Sequence, residues 1–161
     1  MRQTALAALI QTPFASVYRM TRISENSMAY VTGYITALLA FGAIDIAWLL
    51  LVGPALYRPT LQDILLTDLR VAPAVTFYLI YPVGLLVFAV MPGLKSGSAA
   101  TAVGSAALFG AIAYATYDLT NFATLRNWTL QLTVLDIAYG AAASAFAAFV
   151  SFLVVRAVSN A

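Results

Sequence analysis

The chain contains neither cysteine nor histidine among its 161 residues. Without cysteine there are no disulfides, no thiolate catalysis and no cysteine-held zinc or iron–sulfur centres. Without histidine, Ser-His catalysis, His-ligated haem and His-box di-iron chemistry are excluded as well. Charge is scarce too: 9% of residues are charged, against roughly 25% in an average soluble domain. A net charge of +2 with no basic tract leaves no footprint for nucleic acid. Any chemistry must come from Asp, Tyr, Asn, Thr, Ser, Trp and Arg.

What is abundant is apolar surface: 63% of residues are hydrophobic and the mean hydropathy is +0.91. Four apolar stretches, about residues 30–52, 71–91, 98–121 and 130–155, each approach the length of a bilayer-crossing helix, which needs roughly 20 residues. The expected fold is all-α, a polytopic four-helix transmembrane bundle over residues 29–156. Gly53-Pro54 is expected to end the first span, and Pro82 to kink the second. A tight connection is expected over Pro92-Gly93-Leu94-Lys95-Ser96-Gly97. Between the first two spans, Thr60-Leu61-Gln62-Asp63 reads as a capping box. Leu61, Ile64, Leu65 and Leu69 then fall on one side, which predicts a short interfacial helix.

Residues 1–28 differ from the rest, with Arg2, Arg19 and Arg22 against Glu25 and no convincing cleavage site. They read either as a basic cytoplasmic arm with little order or as an extension upstream of a start at Met28. With that arm inside, Arg2, Arg19, Arg22, Lys95 and Arg156 outnumber Arg58, Arg70 and Arg126. That bias predicts both termini in the cytoplasm, and it reverses if the arm is not native. Thr124-Leu125-Arg126-Asn127-Trp128 reads as an interfacial anchor, an aromatic beside a cation. Ser98, Ala102, Ala106 and Gly110 on the third span, and Gly140, Ser144 and Ala148 on the fourth, recur every fourth residue. Small residues at that spacing let two helices approach closely, here within one chain or between two copies.

Three carboxylates interrupt this apolar background: Asp45, Asp118 and Asp136. Carboxylates are costly in hydrocarbon, so they are expected to face the bundle interior. On the third span Gly110, Tyr114, Tyr117, Asp118 and Asn121 share one helical face, as do Thr129, Thr133, Asp136, Tyr139 and Gly140 on the fourth. Asp45 and Trp48 share a face with Phe41 on the first. At ~1.5 Å per residue, Asp45 lies about 12 Å before the end of its span and Asp136 about 9 Å after the start of its own. Asp118 closes the third span, so an up-down-up-down bundle gathers all three in one layer, with Tyr78 and Tyr81 available for the wall. Carboxylates grouped in a poor dielectric cannot all ionise comfortably. The layer would then carry a proton, hold a cation or bind a polar head; alternatively, each Asp only locks the helices together through hydrogen bonds. Asp45-Ile46-Ala47-Trp48 and Asp136-Ile137-Ala138-Tyr139 repeat an Asp-x-x-aromatic pattern whose flanks do not align, which reads as coincidence. Tyr117-Asp118 fits half of the intramembrane aspartyl-protease pattern, but Val134-Leu135 stand where the other half needs glycine.

The string from Tyr114 to Trp128, the downstream Asp136-Ile137-Ala138-Tyr139-Gly140 and the upstream Asp45-Ile46-Ala47-Trp48-Leu49 together resemble the DUF2177 family, from about Met28 to Val155. One departure is Tyr139, where the family often carries Trp. The resemblance implies a small bacterial membrane protein, expected here at the inner membrane, and no cofactor is expected. A gene setting beside lipid-modifying enzymes implies an accessory role in acyl-chain or envelope lipid metabolism. The expected function is therefore binding: a pocket of Asp45, Trp48, Tyr114, Tyr117, Asp118, Asn121, Asp136 and Tyr139 that recognises a lipid headgroup or similar amphiphile. Expected partners are membrane lipids, with a second copy or a lipid-metabolism enzyme beside them, and no metal. The alternatives are a proton- or cation-coupled transporter, which four spans would reach only as an oligomer, and a lipid-modifying enzyme with Asp as acid or base.

Overall fold

The structure, a computed structural model, describes residues 13–159, with side chains from Ser27 onward apart from Asp63. The readings made for residues 1–12 therefore lie outside the described residues. Four helices are long and apolar enough to cross a membrane: Ser27–Leu61, Val71–Ser96, Ala99–Thr124 and Leu130–Ser159. We call them the first to fourth spans. No strand occurs among the described residues. In lipid no water is at hand for backbone N–H and C=O groups, so a chain this apolar satisfies them within helices.

The first span is the continuation of a helix, Pro13–Val52, that begins well before the expected start at Tyr30. Nor does it stop at Gly53-Pro54. The chain widens there into a π turn, Gly53–Tyr57, and resumes as one α-helical turn, Arg58–Leu61. Pro54 lacks an N–H and crowds the carbonyl one turn back. A π turn opens the helix by one residue, and such bulges are a recognised way for a helix to bend past an obstruction.

The interfacial helix predicted over Leu61–Leu69 is displaced for the same reason. Its helical turns come earlier, at Arg58–Leu61 and in a 3-10 turn at Gln62–Ile64, both continuous with the span. Gln62, at φ 35°, leaves the right-handed region and ends the α-helical span. Residues 65–70 are not helical, so Ile64, Leu65 and Leu69 do not share one helical face.

The second span also outruns its expected end. Val71–Leu85 contains Pro82 and passes through a second π turn, Leu86–Val90, into Met91–Ser96. Pro92 directly follows the π segment, whose widened turn accommodates its missing N–H and ring. The real connection to the third span is only Gly97-Ser98. Gly97 takes the left-handed conformation, φ 66°, that glycine adopts without strain, and Ser98 Oγ accepts from Thr101 N at 3.2 Å.

The fourth span packs along both the third and the first, which makes it the centre of the bundle. Its contact with the third is set by the small residues: Ala102, Ala106, Gly110, Gly140, Ser144 and Ala148 are all buried. A Cβ on Gly110 would run into the Gly140 carbonyl and the Ser144 side chain, so the two backbones touch there. This is packing within one chain, and in lipid it is held by dispersion rather than by the hydrophobic effect. The first span buries Gly33, Ala37, Phe41 and Asp45, one residue per turn, while Val31, Ile35, Leu39 and Leu50 face outward. Ser151 Oγ donates to the Gly33 carbonyl at 2.8 Å, fixing the crossing of first and fourth spans.

The second span is placed unevenly. Its later half, Leu86–Ser96, packs against the third span, whereas its earlier half leans on the first. The second and third spans therefore diverge towards the start of the second, leaving an apolar cleft of about 390 Å³ lined by Phe77, Tyr81, Ala113, Tyr114 and Tyr117.

Candidate functional site: an aspartate–tyrosine layer

Beside that cleft, the polar side chains of four elements meet inside the bundle. Asp45 is 7% exposed, Asp136 4% and Asp118 0%. Asp45 is fully engaged: Tyr78 Oη donates to Oδ2 at 2.5 Å and Tyr139 Oη donates to Oδ1 at 2.9 Å. One carboxylate of the first span thereby ties down the second and the fourth. Tyr57, at the end of the π turn, donates its hydroxyl proton to Asp136 Oδ1 and accepts from Trp48 Nε1 at 3.0 Å. Trp48, Tyr57 and Asp136 thus form a relay of hydrogen bonds that polarise one another.

The two Asp-x-x-aromatic segments face each other across this layer. The Trp48 and Tyr139 rings stack with centroids 4.1 Å apart and planes 12° from parallel. Tyr139 serves the Asp of the other segment, and Trp48 reaches Asp136 through Tyr57. The repeat that reads as coincidence in sequence is a reciprocal pairing in space. Tyr114 meets Tyr139 edge-on at 6.0 Å, and Tyr81 lies 6.4 Å from Tyr114 while exchanging a 2.7 Å hydrogen bond with Ser144.

Asp118 behaves differently. It is completely buried within electrostatic range of Asp136 and Tyr57, yet neither carboxylate oxygen has a hydrogen-bond partner. Most buried polar atoms in folded proteins are paired, and an exception needs a reason. The expected place of Asp118 at the close of the third span does not supply it, because the helix runs on to Thr124 and leaves Asp118 in its interior.

The remaining candidates lie at the margin. Tyr117 is 60% exposed, lines the cleft and reaches Asn121 one turn on, which is half-buried. Trp128 is not the lipid-facing anchor its neighbourhood suggested. It is 6% exposed, packed with Leu61 and Leu132, and its Nε1 donor has no partner. Leu56 and Tyr57 pack against the same cluster, so the late turns of the first span and the loop before the fourth close this end of the bundle. Tyr57 was missing from the sequence-derived pocket because Gly53-Pro54 was read as the end of a helix. Tyr78 had only been a candidate wall residue and is instead a direct partner of Asp45.

Chemically, the layer is rich in acceptors. Three carboxylates converge, the tyrosine donors satisfy three of their six oxygens, and the two on Asp118 stay buried and unpaired. No group of three or more His, Cys, Asp or Glu able to hold a metal ion occurs among the described residues. The site suits a partner that brings hydrogen-bond donors or positive charge.

Fold and site together define a small polytopic membrane protein whose spans are joined through an internal polar layer. The chain belongs to the DUF2177 family, described as a predicted membrane protein, whose family model matches residues 30–153. That range contains the three aspartates and the tyrosines paired with them. Neither the curated proteins nor the solved structures include a match to this chain.

Proposed function

We propose that this protein binds an amphiphile from within the bilayer, with the apolar chain in the cleft between second and third spans and the polar head against the aspartate–tyrosine layer. The observation that carries the reading is Asp118: a fully buried carboxylate with two unpartnered oxygens, flanked on its own helix by Tyr114 and Tyr117, which line the cleft. A head bearing N–H or O–H donors would complete the hydrogen bonding that the protein leaves open. The cleft volume of about 390 Å³ falls within the range of small-molecule sites. A lipid-linked, accessory role at a bacterial inner membrane fits this binding.

The test is native mass spectrometry of the protein extracted in mild detergent, with identification of the retained amphiphile. Asp118→Asn replaces one acceptor oxygen by a donor, so retention should drop about tenfold or more. Unchanged retention by a well-folded Asp118→Asn protein would reject the pocket. The same unpartnered carboxyl favours a second reading, a proton- or cation-coupled transporter. That reading requires proton- or sodium-driven flux in liposomes that disappears in the same variant.

A further inference from the structure

The opposite end of the bundle carries a different chemistry. Two adjoining cavities, of about 260 and 590 Å³, lie where the start of the first span meets the ends of the second and fourth, and they share Ala29, Val155 and Ser159. The larger also touches Lys95 and Arg156, and among the described residues no carboxylate lines either one. Both cations are the basic residues of a last helical turn, which places them where a span leaves the membrane. Arg156 lies with its guanidinium carbon 5.5 Å from the Phe152 ring centroid, which aligns the side chain along the helix. Among the described residues no acidic side chain forms an ion pair with Lys95 or Arg156. Met91, Leu94 and Val155 supply an apolar wall beneath the two charges.

We infer that this groove is a binding site for an anionic phospholipid, its phosphate between Lys95 and Arg156 and its acyl chains along the apolar wall. Charge complementarity selects the head: two cations from different spans face one opening, which no described carboxylate lines. The apolar wall of Met91, Leu94 and Val155 selects a lipid over free phosphate. Basic pockets between helix ends are a physical match for anionic head groups, and each cation near the surface contributes in proportion to its charge. The site is separate from the aspartate layer and does not depend on what that layer binds.

The experiment uses the full chain in mild detergent, titrated with phosphatidylglycerol or phosphatidylcholine and read by native mass spectrometry. The expected result is preferential retention of phosphatidylglycerol, weakened about fivefold by Lys95→Gln or Arg156→Gln and about thirtyfold by the pair. Lys95→Arg with Arg156→Lys, which keeps both charges, should retain the preference and thereby report that the fold is intact. Asp118→Asn should leave it unchanged, which separates this site from the proposed pocket. Equal retention of both lipids, a preference that survives the double Gln variant, or displacement of the lipid by inorganic phosphate would each overturn the inference. So would a preference lost instead in Arg58→Gln with Arg126→Gln, at the other end of the bundle.

Discussion

Asp45 and Asp118 are two buried carboxylates of the same size with opposite hydrogen-bond states, and replacing each by alanine isolates what that difference is worth. Both substitutions delete the same atoms from buried sites, so the cost of the cavity largely cancels between them. Asp45→Ala orphans the hydroxyls of Tyr78 and Tyr139, which now hold the first span to the second and fourth. In water a hydrogen bond to a charged group is worth roughly 1.5–3 kcal/mol. Between membrane helices measured values average about 0.6 and reach about 1.7 kcal/mol, because the unfolded chain in lipid also finds partners. The membrane scale applies here, so the loss of two bonds should cost about 1–3 kcal/mol. Asp118→Ala breaks no hydrogen bond and removes an unpartnered polar group, so it should be neutral or stabilising. Unfolding in mild detergent titrated with a denaturing one, followed by far-ultraviolet circular dichroism, measures both. If Asp118→Ala proves as destabilising as Asp45→Ala, then Asp118 has structural partners and the argument from its unsatisfied oxygens fails.

The helix contact at Gly110 gives a second test. Gly110→Ala meets the Gly140 backbone, which cannot rotate away, and should cost at least about 3 kcal/mol in the same unfolding assay. Gly104→Ala, with nothing within 4 Å of the new Cβ, should stay within about 1 kcal/mol of the parent and not fall below it. A small effect at Gly110 would mean that the third and fourth spans are not in contact there. Tyr57→Phe should break the relay from Trp48 to Asp136 while leaving the ring in place. In a Trp128→Phe background, the lone indole N–H resonance of Trp48 should then move markedly in the proton spectrum. An unmoved resonance would place Tyr57 away from Trp48.

Four apolar runs, few charges and the small-residue ribbons were enough to anticipate an all-helical membrane bundle and the contact between third and fourth spans. The meeting of Asp45 with the fourth span was legible because an up-down-up-down order sets the late first span beside the early fourth. The ends from which height was measured lie instead at Leu61 and Thr124. What periodicity could not reveal lay wherever the helix stopped being regular. Proline at 54 and at 92 was taken as punctuation, but the chain carries helix past each of them through a π turn. That error cut the first span short, moved the interfacial turns downstream and hid Tyr57. Trp128 was misplaced for another reason. A Trp beside an Arg carries the same composition whether it faces head groups or is covered by Leu61 and Leu132, and only tertiary packing separates those cases.

The π turn at Gly53–Tyr57 works as a phase shifter. An α-helix advances about 100° per residue, so twelve steps would set Tyr57 about 120° away from Asp45. A wider turn advances less per residue and rotates Tyr57 back towards the interior, where it meets Asp136. The polar layer is thus tuned to chain length as well as to residue identity. A one-residue insertion inside Gly53–Tyr57 would swing the hydroxyl out of register, whereas a one-residue deletion would let a regular α-helix keep it, since eleven steps come to about 20° from Asp45. The same insertion in the non-helical stretch 65–70 would be absorbed as slack.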